Sequence, residues 1–161
     1  MANIKTNAIR LLEKAGISYG IHTYENKDGL IDGISVANKI GVPVEKVYKT
    51  LVTQGHSKEY YVFIIPVSAE LDLKAAARSV EDKSIEMIKV SDINKITGYI
   101  RGGCSPIGMK KEYKTVVDNS CEKFDTIIVS AGKIGLQIEL NPLDLINFIG
   151  CKADNIIIKK M

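Results

Sequence analysis

The sequence contains no tryptophan, only two histidines and only three cysteines. Metal centres usually draw on several His or Cys side chains, so we expect no metal and no other cofactor. The odd number and wide spacing of Cys104, Cys121 and Cys151 argue against a disulfide framework. No run of about 18 apolar residues indicates a transmembrane helix, and the N-terminal residues lack the apolar stretch of a signal peptide. We therefore expect a cytoplasmic protein without a membrane partner.

The composition is that of a packed domain. Of 161 residues, 45% are hydrophobic and 25% are charged, which predicts one domain over residues 1–161. The formal net charge of +3 is too small for strong, salt-driven binding along a nucleic-acid backbone. It still permits a local basic patch that contacts part of an RNA.

The apolar periodicity predicts strands that come both in hairpins and separated by helices. The predicted helices are residues 4–15 (closed by Gly16), 35–40 (closed by Gly41), 71–80, 91–98 (with Ser91 as N-cap and Gly98 as C-cap) and 141–149. Pro43 opens a further helical turn through Val47. The predicted strands are residues 19–23, 48–54, 60–67, 84–90, 99–103, 114–119, 125–132, 136–140 and 154–160. Residues 25–33 are polar and turn-rich and predict a loop. This order indicates a mixed sheet with packed helices, of the α/β or α+β class.

The segment VYKTL places a lysine among apolar residues. Since strand side chains alternate, Val47, Lys49 and Leu51 share one face. An ammonium is almost never fully buried without a partner. Either Lys49 extends its amine to the edge of the sheet, or it lines a cleft and meets an anion or a polarised carbonyl.

The segment GGCSPIGMKK is a candidate loop for close approach of a ligand. Gly102 and Gly103 allow the backbone to aim N–H groups at an oxygen. Ser105 can donate a hydrogen bond, and Pro106 stiffens the loop. Cys104 has no histidine near it in sequence, which favours an inert thiol over a nucleophile.

The segment SAGKIGLQIEL follows a strand and contains a Gly-x-x-Gly turn. A plain hairpin explains that turn, and it is not a P-loop because the GxxxxGK[ST] pattern is missing. Across the chain, neither paired carboxylates nor a Ser–His–Asp set can be assembled. A hydrolase with this inventory must rely on positioning, on oxyanion stabilisation and on a group in its substrate.

Together these segments resemble the YbaK/EbsC family of Cys-tRNA(Pro) deacylases, which is related to the editing insertion of prolyl-tRNA synthetase. The resemblance extends over nearly the whole chain, in register. The segments that carry it are NAIRLLEKAGISY, IHTYE, VYKTL, IIPVSAELDLKAAAR, TGYIRGG, GGCSPIGMKK and VSAGKIGLQIEL. It implies a single domain with a mixed, barrel-like β-sheet surrounded by helices.

The resemblance also implies roles for particular residues. Lys49 corresponds to a lysine that helps to hold the 3′-terminal adenosine and the aminoacyl ester. Gly102 corresponds to the glycine beside the ester carbonyl, and backbone N–H groups at Gly102 and Gly103 are expected to stabilise the oxyanion. The expected substrate contacts are Tyr24, Thr50, Ser105, Pro106, Ser130 and Gly132.

The family's chemistry suits a site without a nucleophile of its own. The thiol of the misattached cysteine attacks its own ester carbonyl and releases a thiolactone and free tRNA. The resemblance implies the 3′ acceptor end of aminoacyl-tRNA and prolyl-tRNA synthetase as partners. Because the net charge is small, we expect selectivity for tRNA(Pro) to come from a complex with the synthetase.

The sequence departs from the family pattern at Asp32, Ile134 and Gln137, and the loop from Glu25 to Gly33 is one residue shorter. These departures affect the expected choice of amino acid more than the reaction type. Two alternatives stay open: a deacylase for another small aminoacyl group such as alanine, or a non-catalytic module that binds tRNA or a synthetase.

Overall fold

A computed structural model describes residues 5–158, and these form an α/β domain with two sheets. The helices are α1 (Asn7–Lys14), α2 (Gly33–Ile40), α3 (Leu73–Ser79), α4 (Ile93–Thr97) and α5 (Pro142–Ile149). The strands are β1 (Gly20–Thr23), β2 (Tyr48–Gly55), β3 (Tyr60–Pro66), β4 (Ile85–Met87), β5 (Lys114–Asp118), β6 (Ile127–Lys133), β7 (Leu136–Leu140) and β8 (Lys152–Asp154). None of the helices in this range is long and apolar enough to span a bilayer.

The smaller sheet has the strand order β1-β7-β6 and is antiparallel. The larger sheet has the order β4-β2-β3-β5-β8 and is mixed, because β3–β5 and β5–β8 are parallel pairs. The two sheets meet around one apolar core, which includes Leu12 on α1, Ile64 on β3 and Ile138 on β7, all fully buried. A second core lies on the other face of the larger sheet, beneath α3, around Phe63 and Ile65.

The expectation of a barrel-like sheet was wrong. Val47, the residue directly before β2, forms an isolated parallel bridge to Ile128 on β6, and within residues 5–158 the pairing of β2 with β6 does not continue as a ladder. The Val47 carbonyl, directly before β2, accepts from the Val67 N–H, directly after β3, at 2.8 Å. On β2, the Val52 carbonyl accepts from the Ile88 N–H on the β4 side. By alternation, the backbone groups of Thr50 point into the gap between β2 and β6. The sheet therefore stays open at this point.

Several element ends follow from capping residues that were read correctly. Gly41 and Gly98 end α2 and α4 with left-handed φ values of 74° and 86°. Asn141 caps α5 by accepting from the Leu143 and Asp144 backbone N–H groups. Pro43 precedes a short 3-10 turn, Val44–Lys46, as expected.

Other element assignments were wrong or too long. Residues 99–103 form a turn, not a strand, in which the Gly103 N–H donates to Ile100 O at 3.0 Å. Ser91 is not an N-cap, because Val90–Asp92 is a 3-10 turn that runs into α4. The last strand is β8, which ends at Asp154, where the predicted strand was expected to begin. Farther along, Ile157 makes an isolated bridge to Leu71. Residue 4 of the first predicted helix and residues 159–160 of the last predicted strand lie outside the described range.

Gly33, at the start of α2, is required by close packing against Val67. A Cβ added there would lie 2.2 Å from Val67 Cγ1 and 2.5 Å from its Cβ. Alanine is otherwise the better helix former, so destabilisation by Gly33→Ala can come only from this overlap. We expect Gly33→Ala to lower the free energy of unfolding by about 1–3 kcal/mol, measured by urea denaturation. Gly20→Ala, whose Cβ would meet nothing closer than 4.0 Å, is the matched control, and an equal loss in both variants would contradict the packing account.

Candidate active site

A cavity opens where β2 and β6 diverge. Its volume is about 740 Å³, within the range of small-molecule sites. Its walls come from residues 47–51, from Arg101, Gly102 and Cys104, from Ser130 and Gln137, from Val67, and from part of the segment 29–36. The structure thus brings the three candidate segments of the sequence to one cleft.

Lys49 is the basic residue of the β2 wall, and its side chain is half-buried. Among the described residues no carboxylate lies within 4.0 Å of its amine. Burial lowers the pKa of Lys49, and the more distant charge of Glu70 opposes this effect. An ammonium that is partly desolvated and has no partner close by is suited to an anionic or polarised ligand oxygen.

Gly102 and Gly103 have different surroundings. Gly102 lines the cavity with a left-handed φ of 85°, a conformation that glycine adopts at little cost. Gly103 does not line the cavity, and its N–H is used in the turn to Ile100 O. It packs against the chain at Lys133 and Ile134, where a Cβ would lie 3.1 Å from Ile134 N. Of the two backbone donors expected for an oxyanion, only that of Gly102 is left without a backbone partner among residues 5–158.

Ser130 and Gln137 are directly opposite each other on β6 and β7 and share the cavity wall. The Ser130 hydroxyl oxygen accepts from the Gly132 N–H at 3.2 Å. Its own O–H is therefore available to donate into the cavity. Gly132 lies behind this wall, where a Cβ would come within 2.9 Å of the Tyr99 ring. Gly132 thus makes room for Tyr99 and orients Ser130.

Thr50 lines the cavity on β2, and its hydroxyl oxygen is buried without a hydrogen-bond partner among the described residues. Cys104 also lines the cavity. Burial raises the pKa of the Cys104 thiol to about 11, so this thiol is protonated near neutral pH and is a poor nucleophile. No histidine of the described chain is among the lining residues.

Besides Gly132, three other expected substrate contacts lie outside the cavity wall. Ser105 is fully buried, and its hydroxyl accepts from the Ile107 N–H at 3.2 Å. Pro106 is buried beside it. Tyr24 is 9% exposed, and its hydroxyl is buried without a partner among the described residues. Ser105 and Pro106 shape the loop from within, whereas Tyr24 supports the segment that follows it.

The loop from Glu25 to Gly33 is held by one lysine. The Lys39 amine donates to Glu25 O at 2.7 Å, to Asp28 Oδ1 at 2.8 Å and to Leu30 O at 3.0 Å. The same amine lies 5.9 Å from the centre of the Tyr24 ring, a cation–π distance. Asp32 caps α2 by accepting from the Ser35 N–H at 3.1 Å. The departure at Asp32 therefore has a structural explanation in the capping of α2.

Sequence reasoning missed Arg101, Ile31 and Val67 as lining residues. Arg101 lies in a segment that was predicted to be a strand. Its position directly before Gly102 could have indicated that it lies near the ligand. Ile31 and Val67 reach the cavity only through tertiary packing, which no local pattern reveals. Among residues 5–158, no group of three or more His, Cys, Asp or Glu side chains is arranged to hold a metal ion.

An ionic cluster at Glu139 anchors the chain just before the cavity wall of β2. Glu139 pairs with Lys46 at 2.7 Å and with His22 at 2.6 Å. Burial by itself would raise the pKa of Glu139. The hydrogen bonds from Lys46, Thr126 and His22 outweigh burial and lower that pKa to about 2.

This cluster predicts a pH dependence of stability. The folded pKa of Glu139, about 2, lies below the ordinary value of 4.5, so its stabilisation is present above pH 4.5 and is lost as the pH falls towards 2. We expect the free energy of unfolding to fall less steeply over this window in Glu139→Gln than in the wild type. Urea denaturation at several pH values measures the slopes. The same substitution at the exposed Glu112 should leave the wild-type slope, and parallel curves for all three proteins would contradict the assignment.

Comparison with known proteins places these features in a family. The aminoacyl-tRNA editing domain family matches residues 34–148. The chain is 43% identical over 138 residues to EbsC of Enterococcus faecalis (strain ATCC 700802 / V583), which is provisionally named a Cys-tRNA(Pro)/Cys-tRNA(Cys) deacylase. That match covers 86% of this chain and 84% of EbsC.

Two further similarities are more distant. The chain is 30% identical over 94 residues to a proline–tRNA ligase of Fervidobacterium nodosum (strain ATCC 35602 / DSM 5306 / Rt17-B1), covering 58% of this chain and 16% of the ligase. A crystal structure described as that of a candidate trans-editing enzyme for prolyl-tRNA synthetase superposes with a TM-score of 0.82 at 19% identity. It covers 96% of this chain and 99% of the other, so the two proteins share the fold.

Proposed function

The chain belongs to the aminoacyl-tRNA editing domain family, and on that premise we propose that it is a deacylase that cleaves the ester of mischarged Cys-tRNA(Pro). The observation that carries the proposal is the convergence of Lys49, Gly102 and Ser130 on one cavity of about 740 Å³. We further propose that residues 1–161 act as one editing domain in the cytoplasm, where tRNA is charged. A synthetase discriminates poorly between amino acids with small side chains of similar size, so a second site is needed to remove the wrong one.

Lys49 and Gly102 are the proposed catalytic groups. Among residues 5–158 no carboxylate lies within 4.0 Å of the Lys49 amine, and this ammonium can hold the sugar or ester oxygens of the 3′-terminal adenosine. The Gly102 N–H can donate to the oxygen that becomes negative when the ester carbonyl is attacked. The Ser130 hydroxyl, oriented by Gly132, provides a polar contact that keeps the ester in place, whereas the Thr50 hydroxyl is buried and Thr50 shapes the wall.

The attacking group is proposed to be the substrate's own thiol. Within residues 5–158, the cavity wall offers Cys104, whose thiol is protonated at neutral pH, and no histidine that could act as a general base. In the proposed step the cysteine sulfur bonds to the ester carbonyl carbon, and the bond from that carbon to the ribose oxygen breaks. The proton lost by the thiol ends on the ribose oxygen, and a thiolactone and free tRNA leave. The enzyme's contribution is to fold the substrate onto itself.

The rim of the cavity suits the nucleotides next to the ester. Leu30, Ile34 and Ile100 are 52%, 47% and 55% exposed, and Ile34 and Arg101 belong to the cavity wall. Apolar side chains can contact the faces of unstacked bases, and an exposed arginine can pair with a phosphate. This arrangement supports recognition of the 3′ acceptor end and not of the tRNA body.

Limited contact with the tRNA body has a consequence for selectivity. With a net charge of +3, the isolated protein is expected to deacylate Cys-tRNA(Cys) about as fast as Cys-tRNA(Pro). A complex with prolyl-tRNA synthetase would then supply the preference for tRNA(Pro). Rates on both tRNAs with and without the synthetase test this point, and a strong preference shown by the isolated protein would contradict it.

The proposed function is tested with a panel of charged tRNAs. We expect release of cysteine from Cys-tRNA(Pro), and loss of release when the cysteine sulfur is first blocked with iodoacetamide. Release of the blocked cysteine would show that an activated water, and not the substrate thiol, attacks the ester. Absence of turnover on every charged tRNA, with retained binding, would instead favour the non-catalytic module.

A further inference from the structure

Gln137 is the buried polar side chain on the inner wall of the cavity. It lies on the central strand of the smaller sheet, in register with Ser130 on one side and His22 on the other. Its neighbours along β7, Leu136 and Ile138, point into the apolar core. By alternation, Gln137 points to the opposite face, where it lines the cavity while only 6% exposed.

The Gln137 amide is available to a ligand. Among residues 5–158 it makes no hydrogen bond, and its atoms are not sealed off from the cavity. Its neighbours on the same face have partners, since His22 bonds to Glu139 and Ser130 accepts from Gly132. By contrast, the Gln54 amide on the surface donates to Lys58 O at 3.0 Å. Buried amides are usually hydrogen-bonded, and an unpaired one in a cavity points to a ligand group as its partner.

The chemistry of the amide limits what that group is. An amide is neutral and offers one acceptor and two donors, so it pairs with a group that can both donate and accept, such as a thiol or a hydroxyl. A methyl group in the same place would displace water from the amide and leave it unpaired. Sites with such polar groups discriminate strongly against substrates that lack the matching polar atom.

We propose that Gln137 determines the specificity of this site and makes it prefer aminoacyl groups with a small polar side chain, thiol or hydroxyl, over alanine. The proposal rests on the proposed deacylase function, because it assumes that the aminoacyl group enters this cavity. It concerns binding of the side chain and not the chemical step, so serine and cysteine are grouped together although their nucleophilicities differ.

Binding of stable analogues separates recognition from cleavage. The probes are adenosines that carry cysteine, serine or alanine through an amide at the 3′ position, used as competitive inhibitors of Cys-tRNA deacylation. We expect the wild type to bind the cysteinyl and seryl probes at least about fivefold more tightly than the alanyl probe. Gln137→Met, which keeps the length and removes the hydrogen bonds, should abolish that difference.

Two further variants keep the test decisive. Gln54→Met makes the same change at the surface and should retain the wild-type preference. Gln137→Glu keeps acceptor oxygens in the cavity and should still discriminate against the alanyl probe, which covers the case in which Gln137→Met does not fold. Equal binding of all three probes by an active wild type, or a retained preference in folded Gln137→Met, would overturn the specificity proposal alone. Absence of both inhibition and deacylation in the wild type would overturn the proposed function itself.

Discussion

Removal of the Lys49 amine, by Lys49→Ala or Lys49→Met, is expected to lower kcat/KM for Cys-tRNA deacylation at least about tenfold. That factor corresponds to a loss of about 1.4 kcal/mol of transition-state stabilisation. The physical reason is that this half-buried ammonium has no carboxylate close by in the described chain and faces the cavity. Its charge is therefore free for the ligand oxygens and is effective in a partly desolvated site.

The Lys49 prediction is checked by single-turnover deacylation at enzyme concentrations below saturation, where the observed rate constant divided by the enzyme concentration gives kcat/KM. Lys74→Met, at an exposed position of α3, is the matched control and should retain the wild-type rate. Burial lowers the pKa of Lys49, so Lys49 loses its charge at a lower pH than an exposed lysine does. As the pH is raised, activity that needs the charged amine should therefore begin to decline at a lower pH. Full activity of folded Lys49→Met would remove Lys49 from the proposed catalytic groups.

Gly102→Ala is expected to lower the deacylation rate by about 10²-fold or more, the loss seen when an oxyanion donor is misplaced. Alanine is strained at a φ of 85°, and its Cβ would lie 2.7 Å from Ile31 Cδ1 and 3.5 Å from Ile134 Cγ1. The Ile31 side chain can turn aside from this overlap, whereas relief of the backbone strain requires the loop itself to shift, which would displace the Gly102 N–H. The added methyl group also narrows the cavity at the place where the ester is expected to lie.

The control for Gly102→Ala is Gly150→Ala. Gly150 ends α5 at a φ of 66°, and a Cβ there would meet nothing within 4 Å. The two variants share left-handed backbone strain of about 1–2 kcal/mol, but only Gly102 lines the cavity. Thermal unfolding and deacylation measured on both proteins separate the effects. Equal activity losses would show that strain alone explains the result.

The sequence predicted local features well because short-range rules determine them. The run YKTLVTQ, the turn GHSKE and the apolar run YYVFIIPV identified the hairpin of β2 and β3. Gly41, Gly98 and Asn141 marked helix ends through their capping geometry. The convergence of Lys49, Gly102 and Ser130 came from the family resemblance, since their separation along the chain carries no distance information.

Tertiary packing decided what the sequence left open. The sheet stays open because, within residues 5–158, a single isolated bridge joins the chain before β2 to β6, and strand patterns alone do not fix such pairings. The loop after Tyr24 depends on Lys39, fourteen residues beyond Glu25, whose carbonyl it binds. The segment before Gly102 was read as strand, whereas the left-handed Gly102 belongs to a turn. Glycine permits both conformations, so only its neighbours select one.

The most direct measurement is a crystal structure with the stable amide-linked 3′-cysteinyl adenosine. We predict that the analogue occupies the cavity between β2 and β6, with its carbonyl oxygen within hydrogen-bond distance of the Gly102 N–H and with a sugar or carbonyl oxygen beside the Lys49 amine. An analogue bound at another surface, with this cavity filled only by solvent, would contradict the proposed site.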